Sequence, residues 1–306
     1  MPSSARLIVL SLLVALGMVS PARAGLKVAV SIPPQAHFVE TIGGDHVDVQ
    51  VMVPANAEPV TYEPTPRQMS ALSQAALYFA ISVPFEKAWL PRFRGANPTM
   101  TVVDTTAGIQ RRPMATDHDH GETEHAAAGE EALDPHVWLS PPLVRLQAEA
   151  IRDALVRAAP EHAADYHRGF RRLAEQVHAL DRDILDALTG IDPAGRRFLV
   201  FHPAFGYFAA SYGLEQMAIE VEGKEPGPRE LARIIDEARG HDIRVIFIEP
   251  QFAQGAARTI AREIEGEVVT LDPLARDWPA GMQAIADTLA EALGGVRSQQ
   301  ATPHEH

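Results

Sequence analysis

Three short apolar runs in the second half of the chain each lead into a residue that can bind a cation. RFLVF (197–201) runs into His202, RVIFI (244–248) into Glu249 and EVVTL (267–271) into Asp272. In the first half, DPHVWLSP sets His136 near Asp134 and just ahead of an apolar segment. VSIPPQAHF places His37 shortly after another apolar run. Imidazoles joined by a carboxylate suit a divalent transition metal, with zinc the common occupant. Each residue also has a plainer use. A histidine at a strand end can be a cap or a core residue. Asp272 and Glu249 each precede a proline and can simply start a turn, which is the simpler reading for Glu249. Asp134 either orients the His136 ring by accepting its second N–H or opens a turn at Pro135.

Other chemistries lack their residues. The chain has no cysteine, and neither G-x-S-x-G nor H-E-x-x-H occurs. No glycine spacing suits a phosphate-binding loop. A zinc hydrolase built on His136, His202, Asp272 and a water would need a general base, and Glu249 is the only clear candidate. No substrate-pocket signature accompanies it.

The elements that must position these residues are short buried strands alternating with helical patterns. LKVAVSI, VDVQVMV, ALYFAI and MTVVD come first, and the three runs above come later. Such alternation predicts an α/β fold with mainly parallel sheets. In open α/β sheets, ligands gather beyond the carboxyl ends of the strands. The strands form two groups, 25–140 and 196–295. Between them, Tyr166, Phe170, Leu173, Val177, Leu180, Ile184 and Leu188 recur at steps of three and four. That spacing predicts one long helix over 160–189. At 1.5 Å per residue it would span roughly 45 Å. It is either a stiff strut joining two (β/α) lobes or an ordinary packed helix of one large domain. The expected division is 25–158 for the first lobe, 159–190 for the rigid linker helix and 191–295 for the second lobe. A polar histidine-bearing loop (114–131) and a tail (296–306) complete it.

Residues 1–24 have the form of a secretory signal: Arg6, an apolar run from Leu7 to Val19, then Ala22-Arg23-Ala24. The run of about 13 residues is short of the roughly 20 that span a bilayer. An exported protein beginning near Gly25, without membrane insertion, is expected; an uncleaved anchor is the alternative. The net charge is −13, and removal of Arg6 and Arg23 makes the remainder more acidic still. An acidic surface argues against nucleic acid and anionic lipid as partners. The 114–131 loop carries His118, His120 and His125, and the tail carries His304 and His306. Such tracts bind metal weakly, by composition. Glu220, Glu222 and Glu225 fall in a loop leading to a helix near Pro228, read as cleft rim or docking surface.

Together, YEPTPRQ, DPHVWLSP, FHPAFGYFAASYGL, IEPQF and TLDPLA resemble the solute-binding component of zinc and manganese ABC importers, the periplasmic ZnuA-like or TroA-like group. The resemblance spans 26–295. It implies two lobes joined by a long helix, one metal held between them as cargo, and delivery to an inner-membrane ABC permease by a periplasmic monomer. No bond is made or broken. The family's site has three histidines and one carboxylate, and His136, His202 and Asp272 fall on three of those places. The loop at 117–125 resembles one that zinc-specific members carry. The family's remaining histidine falls at Val60, in NAEPVTYEPTP. Three substitutes for it stand open: His37, a glutamate (Glu58 or Glu63), or water. The implied cargo is Zn²⁺, with Mn²⁺ or Fe²⁺ as the alternative. A protein that keeps the fold and has lost tight binding is a further reading that Val60 supports.

Overall fold

The computed structural model describes residues 25–114, 133–220 and 224–300. The signal segment, most of the histidine-bearing loop and the last six residues lie outside the described residues.

Among the described residues, the chain forms two four-stranded parallel sheets. The first holds β1 (Leu26–Val30), β2 (Val47–Val51), β3 (Leu77–Ala80) and β4 (Thr101–Asp104), in the order β2-β1-β3-β4. The second holds β5 (Arg197–Val200), β6 (Glu215–Ala218), β7 (Val245–Ile248) and β8 (Glu267–Thr270), in the order β6-β5-β7-β8. The topology is therefore the same in both lobes. The inner strands are covered on both faces, which is why they read as unbroken apolar runs: all four residues of β3 are buried. Seven of the eight strands coincide with the apolar runs of the sequence. The eighth, β6, has the sequence EQMA and only two buried residues, so it carries neither a run nor an alternation. Its pairing with β5 supplies what its sequence lacks.

Nine α-helices surround the sheets among the described residues: α1 (Pro33–Gly43), α2 (Pro66–Leu72), α3 (Pro84–Ala96), α4 (Pro141–Ala158), α5 (Ala163–Leu188), α6 (Gly206–Tyr212), α7 (Pro228–Gly240), α8 (Gly255–Glu263) and α9 (Trp278–Gln300). The expected long helix is α5, preceded by a 3-10 turn at Pro160–His162 that absorbs the proline. Its apolar stripe is buried at Tyr166, Leu173, Val177, Leu180, Ile184 and Leu188. It is packed along its length by α1, α4 and α9 rather than crossing solvent alone. Gly169 permits the contact with α1, because a Cβ there would lie 2.2 Å from the Ile42 carbonyl oxygen.

The main core runs through both lobes, from Val28 and Phe79 to Phe198, Phe247 and Leu289. The last helix returns toward the first lobe. Trp278, at its start, packs edge-on against Phe38 at 5.2 Å and donates its indole N–H to the Trp138 carbonyl at 2.8 Å. A smaller core around Ile234, Ile246 and Ile260 fills the outer layer of the second lobe. No helix among the described residues is long and apolar enough to cross a membrane.

Candidate metal centre between the lobes

A cleft lies between the lobes at the carboxyl edges of the two sheets. Glu58, Val60, Val83, Met114, His136 and Trp138 line it from the first lobe; His202, Glu220, Gln251, Phe252 and Leu274 line it from the second. In the second sheet, β5 and β7 are the central neighbours, and their chains leave in opposite directions around the sheet. His202 follows one and Glu249 the other, which is the switch point where open α/β sheets collect ligands.

His136 stands just before a 3-10 turn, Val137–Leu139, whose three residues are buried. Its backbone N–H donates to Asp134 Oδ1 at 2.9 Å, and its ring Nδ1 lies 2.8 Å from the same oxygen. The ring N–H is thereby committed to the carboxylate, which leaves Nε2 as the lone-pair donor. Burial lowers the pKa of His136, against the hydrogen bond and charge of Asp134. His202 repeats the arrangement, with Nδ1 3.1 Å from Glu220 Oε2. Burial disfavours its charged form, but Glu220, Glu249 and Asp134 together raise its pKa above the usual value. The two rings meet across the cleft with centroids 5.2 Å apart, nearly perpendicular. Phe252 packs on His202 at 5.4 Å and Trp138 on His136 at 5.1 Å.

Glu249 is 1% exposed, and neither carboxyl oxygen makes a hydrogen bond of ordinary geometry. Burial lifts its pKa to about 7, with the nearby His202 pulling the other way. Asp272 is half-buried, and its Oδ1 accepts the Leu274 N–H at 2.9 Å, so the turn-starting role is real. Burial raises its pKa against that bond. The cleft wall is formed by Pro273 and Leu274 rather than by Asp272. The ligand atoms of His136, His202 and Asp272 do not all fall within 4.8 Å of one another. The two imidazoles are thus brought together, and Asp272 lies outside the cleft lining.

His37 is not brought there. It lies on α1 outside the cleft lining, beside Phe38 and within the fields of Asp277 and Glu40, and burial lowers its pKa. Val60 does face the cleft and is 57% exposed. Its loop is fixed by Gln68, which closes a capping box with Thr65, accepts the Tyr62 hydroxyl at 2.8 Å and donates to Met52 O at 2.6 Å. Glu58 lines the cleft but accepts the Thr61 hydroxyl at 3.2 Å; Glu63 does not line it.

Glu249, expected as a turn-starting residue, is buried within the field of His202 and outside the cleft lining; Glu220, expected at the cleft rim or a docking surface, lines the cleft and holds the His202 ring. The signal for Glu249 was its position at the end of a buried strand; nothing local pointed to Glu220. The histidine-bearing loop leaves and rejoins the fold beside His136. Asp134 N–H donates to Arg112 O at 2.9 Å, Arg112 N–H donates to the Tyr207 hydroxyl at 2.9 Å, and Tyr207 donates to the Asp134 carbonyl at 3.3 Å.

Residues 28–292 match the family described as zinc-uptake complex component A, periplasmic. The chain belongs to that family. It is 30% identical over 256 residues to the high-affinity zinc uptake system protein ZnuA of Bacillus subtilis, covering 81% of this chain and 78% of that one. A crystal structure of ZnuA superposes with a TM-score of 0.80 at 38% identity, over 88% of this chain and 99% of that one. The Pseudomonas aeruginosa binding protein FpvC, solved with Mn²⁺, superposes with a TM-score of 0.76 at 25% identity, over 89% and 99%. Members of the family are solute-binding proteins.

Proposed function

We propose that this member of the zinc-uptake family captures Zn²⁺ between its lobes in the periplasm and hands it, as a monomer and without catalysis, to an inner-membrane ABC permease. The observation that carries this is the pair of imidazoles from opposite lobes. Each has Nδ1 held by a carboxylate and Nε2 left for an ion. His136 and His202 supply nitrogen and Asp272 supplies oxygen once the lobes draw in. Water completes the shell in place of the residue at Val60.

Mn²⁺ is the second reading. Val60 removes an imidazole, Glu220 and Glu249 add oxygens nearby, and oxygen-rich shells favour manganese. Calorimetric titration of the chain with each metal decides. Zinc should bind at one cleft site, with affinity falling at least a hundredfold in both His136→Ala and His202→Ala. Zinc affinity indifferent to both substitutions would refute the reading, and tighter manganese binding would select the second.

A further inference from the structure

Away from the cleft, a second group of ligand-type side chains meets where the first lobe joins the linker helix. His46 comes from the 3-10 turn after α1, His162 from the 3-10 turn before α5, and Asp165 from the first turn of α5. One ligand atom from each lies within 4.8 Å of the others. His46 Nε2 is 3.0 Å from Asp165 Oδ2, and the rings of His46 and His162 stack at 3.8 Å. We propose that His46, His162 and Asp165 form a second divalent-cation site, for zinc or another cation that favours imidazole.

The spacing suits the chemistry. Zinc–nitrogen and zinc–oxygen bonds of about 2.0–2.2 Å at a tetrahedral angle put two ligands about 3.3 Å apart. The His46–Asp165 separation needs a few tenths of an ångström to admit an ion, and the His162 ring, stacked 13° from parallel on His46, turns out of the stack for its lone pair to meet the same ion. The scaffold is rigid, because Gly169 brings α5 against the backbone of α1 and Arg172 donates to the Thr41 carbonyl at 3.1 Å. The Tyr166 ring stands edge-on to both imidazoles, at 6.1 and 6.2 Å. His46 and His162 line an open depression with Gly25, and the Asp165 side chain beside them is 39% exposed, so an ion reaches them from solvent. Arg168 pairs with the other oxygen of Asp165. Oδ2, held by His46 Nε2, is the oxygen an ion would take in exchange for that hydrogen bond, and the Arg168 pair keeps the site's affinity below that expected of the cleft.

The test is anomalous scattering at the zinc edge from crystals of the full chain equilibrated with zinc chloride. The expected result is a peak within about 2.3 Å of both imidazoles and Asp165, lost in His162→Ala while the cleft peak persists. In solution, His162→Ala should lower the total zinc bound by one equivalent in a His136→Ala/His202→Ala background. No peak here in crystals whose cleft is loaded, or an unchanged zinc total, overturns the proposal. A peak here with an empty cleft supports it and counts against the cleft reading instead.

Discussion

Each lobe buries one glutamate at the carboxyl edge of its sheet, and the two are treated differently. Glu86, in the first turn of α3 just after β3, accepts hydrogen bonds from the Ser31 hydroxyl, from Ile81 N–H at 2.7 Å and from Ser82 N–H at 2.8 Å. Glu249, just after β7, accepts none of ordinary geometry. Burial lifts both pKa values to about 7. The shift alone does not separate a structural acid from a functional one; their partners do. Glu86 closes the turn that holds Ser82 at a φ of 66°, next to Val83 and Pro84 on the cleft wall. Glu249 lies in the field of His202, and its burial favours the protonated form.

The largest effect expected from this contrast is on folding. Glu86→Ala strips the buried Ile81 N–H and the part-buried Ser82 N–H of their acceptor, each costing about 1–3 kcal/mol when unpaired, while the Ser31 hydroxyl keeps Tyr78 Oη at 2.6 Å. Denaturant unfolding should show a loss of about 4 kcal/mol. A loss under 1 kcal/mol would remove the distinction between the two acids. Glu249→Gln should act in the other direction. A carboxyl whose folded pKa is raised favours the folded state when protonated. That contribution is full below its unfolded value of 4.5 and is lost as pH rises through about 7. At pH 8 the burden approaches about 3 kcal/mol. The metal-free Gln variant should therefore gain stability at pH 8 relative to wild type and lose most of that advantage by pH 5, read as the melting-temperature difference between the two proteins. An equal difference at both values would mean Glu249 is already compensated.

The lobes, seven strands and α5 were legible in the sequence because burial on two faces writes runs and burial on one helix face writes a stripe. β6 was not, since a four-residue edge strand is specified by its neighbour rather than by its own side chains. His136 and His202 were visible as chemistry-bearing residues at element ends. Glu220 was hidden because it is 18 positions from His202 and meets it only through the pairing of β5 with β6. His37 looked available from its place after β1, but the helical phase of α1 turns it away from the cleft.

A smaller effect is expected where an acid acts through a ring. Asp134→Asn keeps the size of the side chain but can present its NH₂ to Nδ1 of His136, favouring the tautomer with the proton on Nε2. Outer carboxylates of this kind are typically worth 10–100-fold in metal affinity. Zinc titration should show a loss in that range with wild-type unfolding free energy to within about 1 kcal/mol. Matching losses of affinity and stability would make Asp134 a turn residue first, closer in kind to Glu86.

The smallest effect tests the imbalance between the lobes directly. The first lobe gives the cleft one imidazole, Glu58 and the apolar Val60, while the second gives an imidazole and Glu220, with Glu249 and Asp272 outside its lining. Val60 is exposed on a loop pinned by Gln68, so Val60→His should cost little folding energy. If the lobes close on one ion, the new ring replaces a water in its shell. Zinc affinity should then rise about tenfold, and the preference for zinc over manganese should rise with it, because an added nitrogen ligand suits zinc better. Unchanged zinc affinity in a variant that melts like wild type would place Val60 beyond reach of the ion. The cleft would then be a site of two imidazoles and oxygens, and its selectivity would rest on the acids of the second lobe.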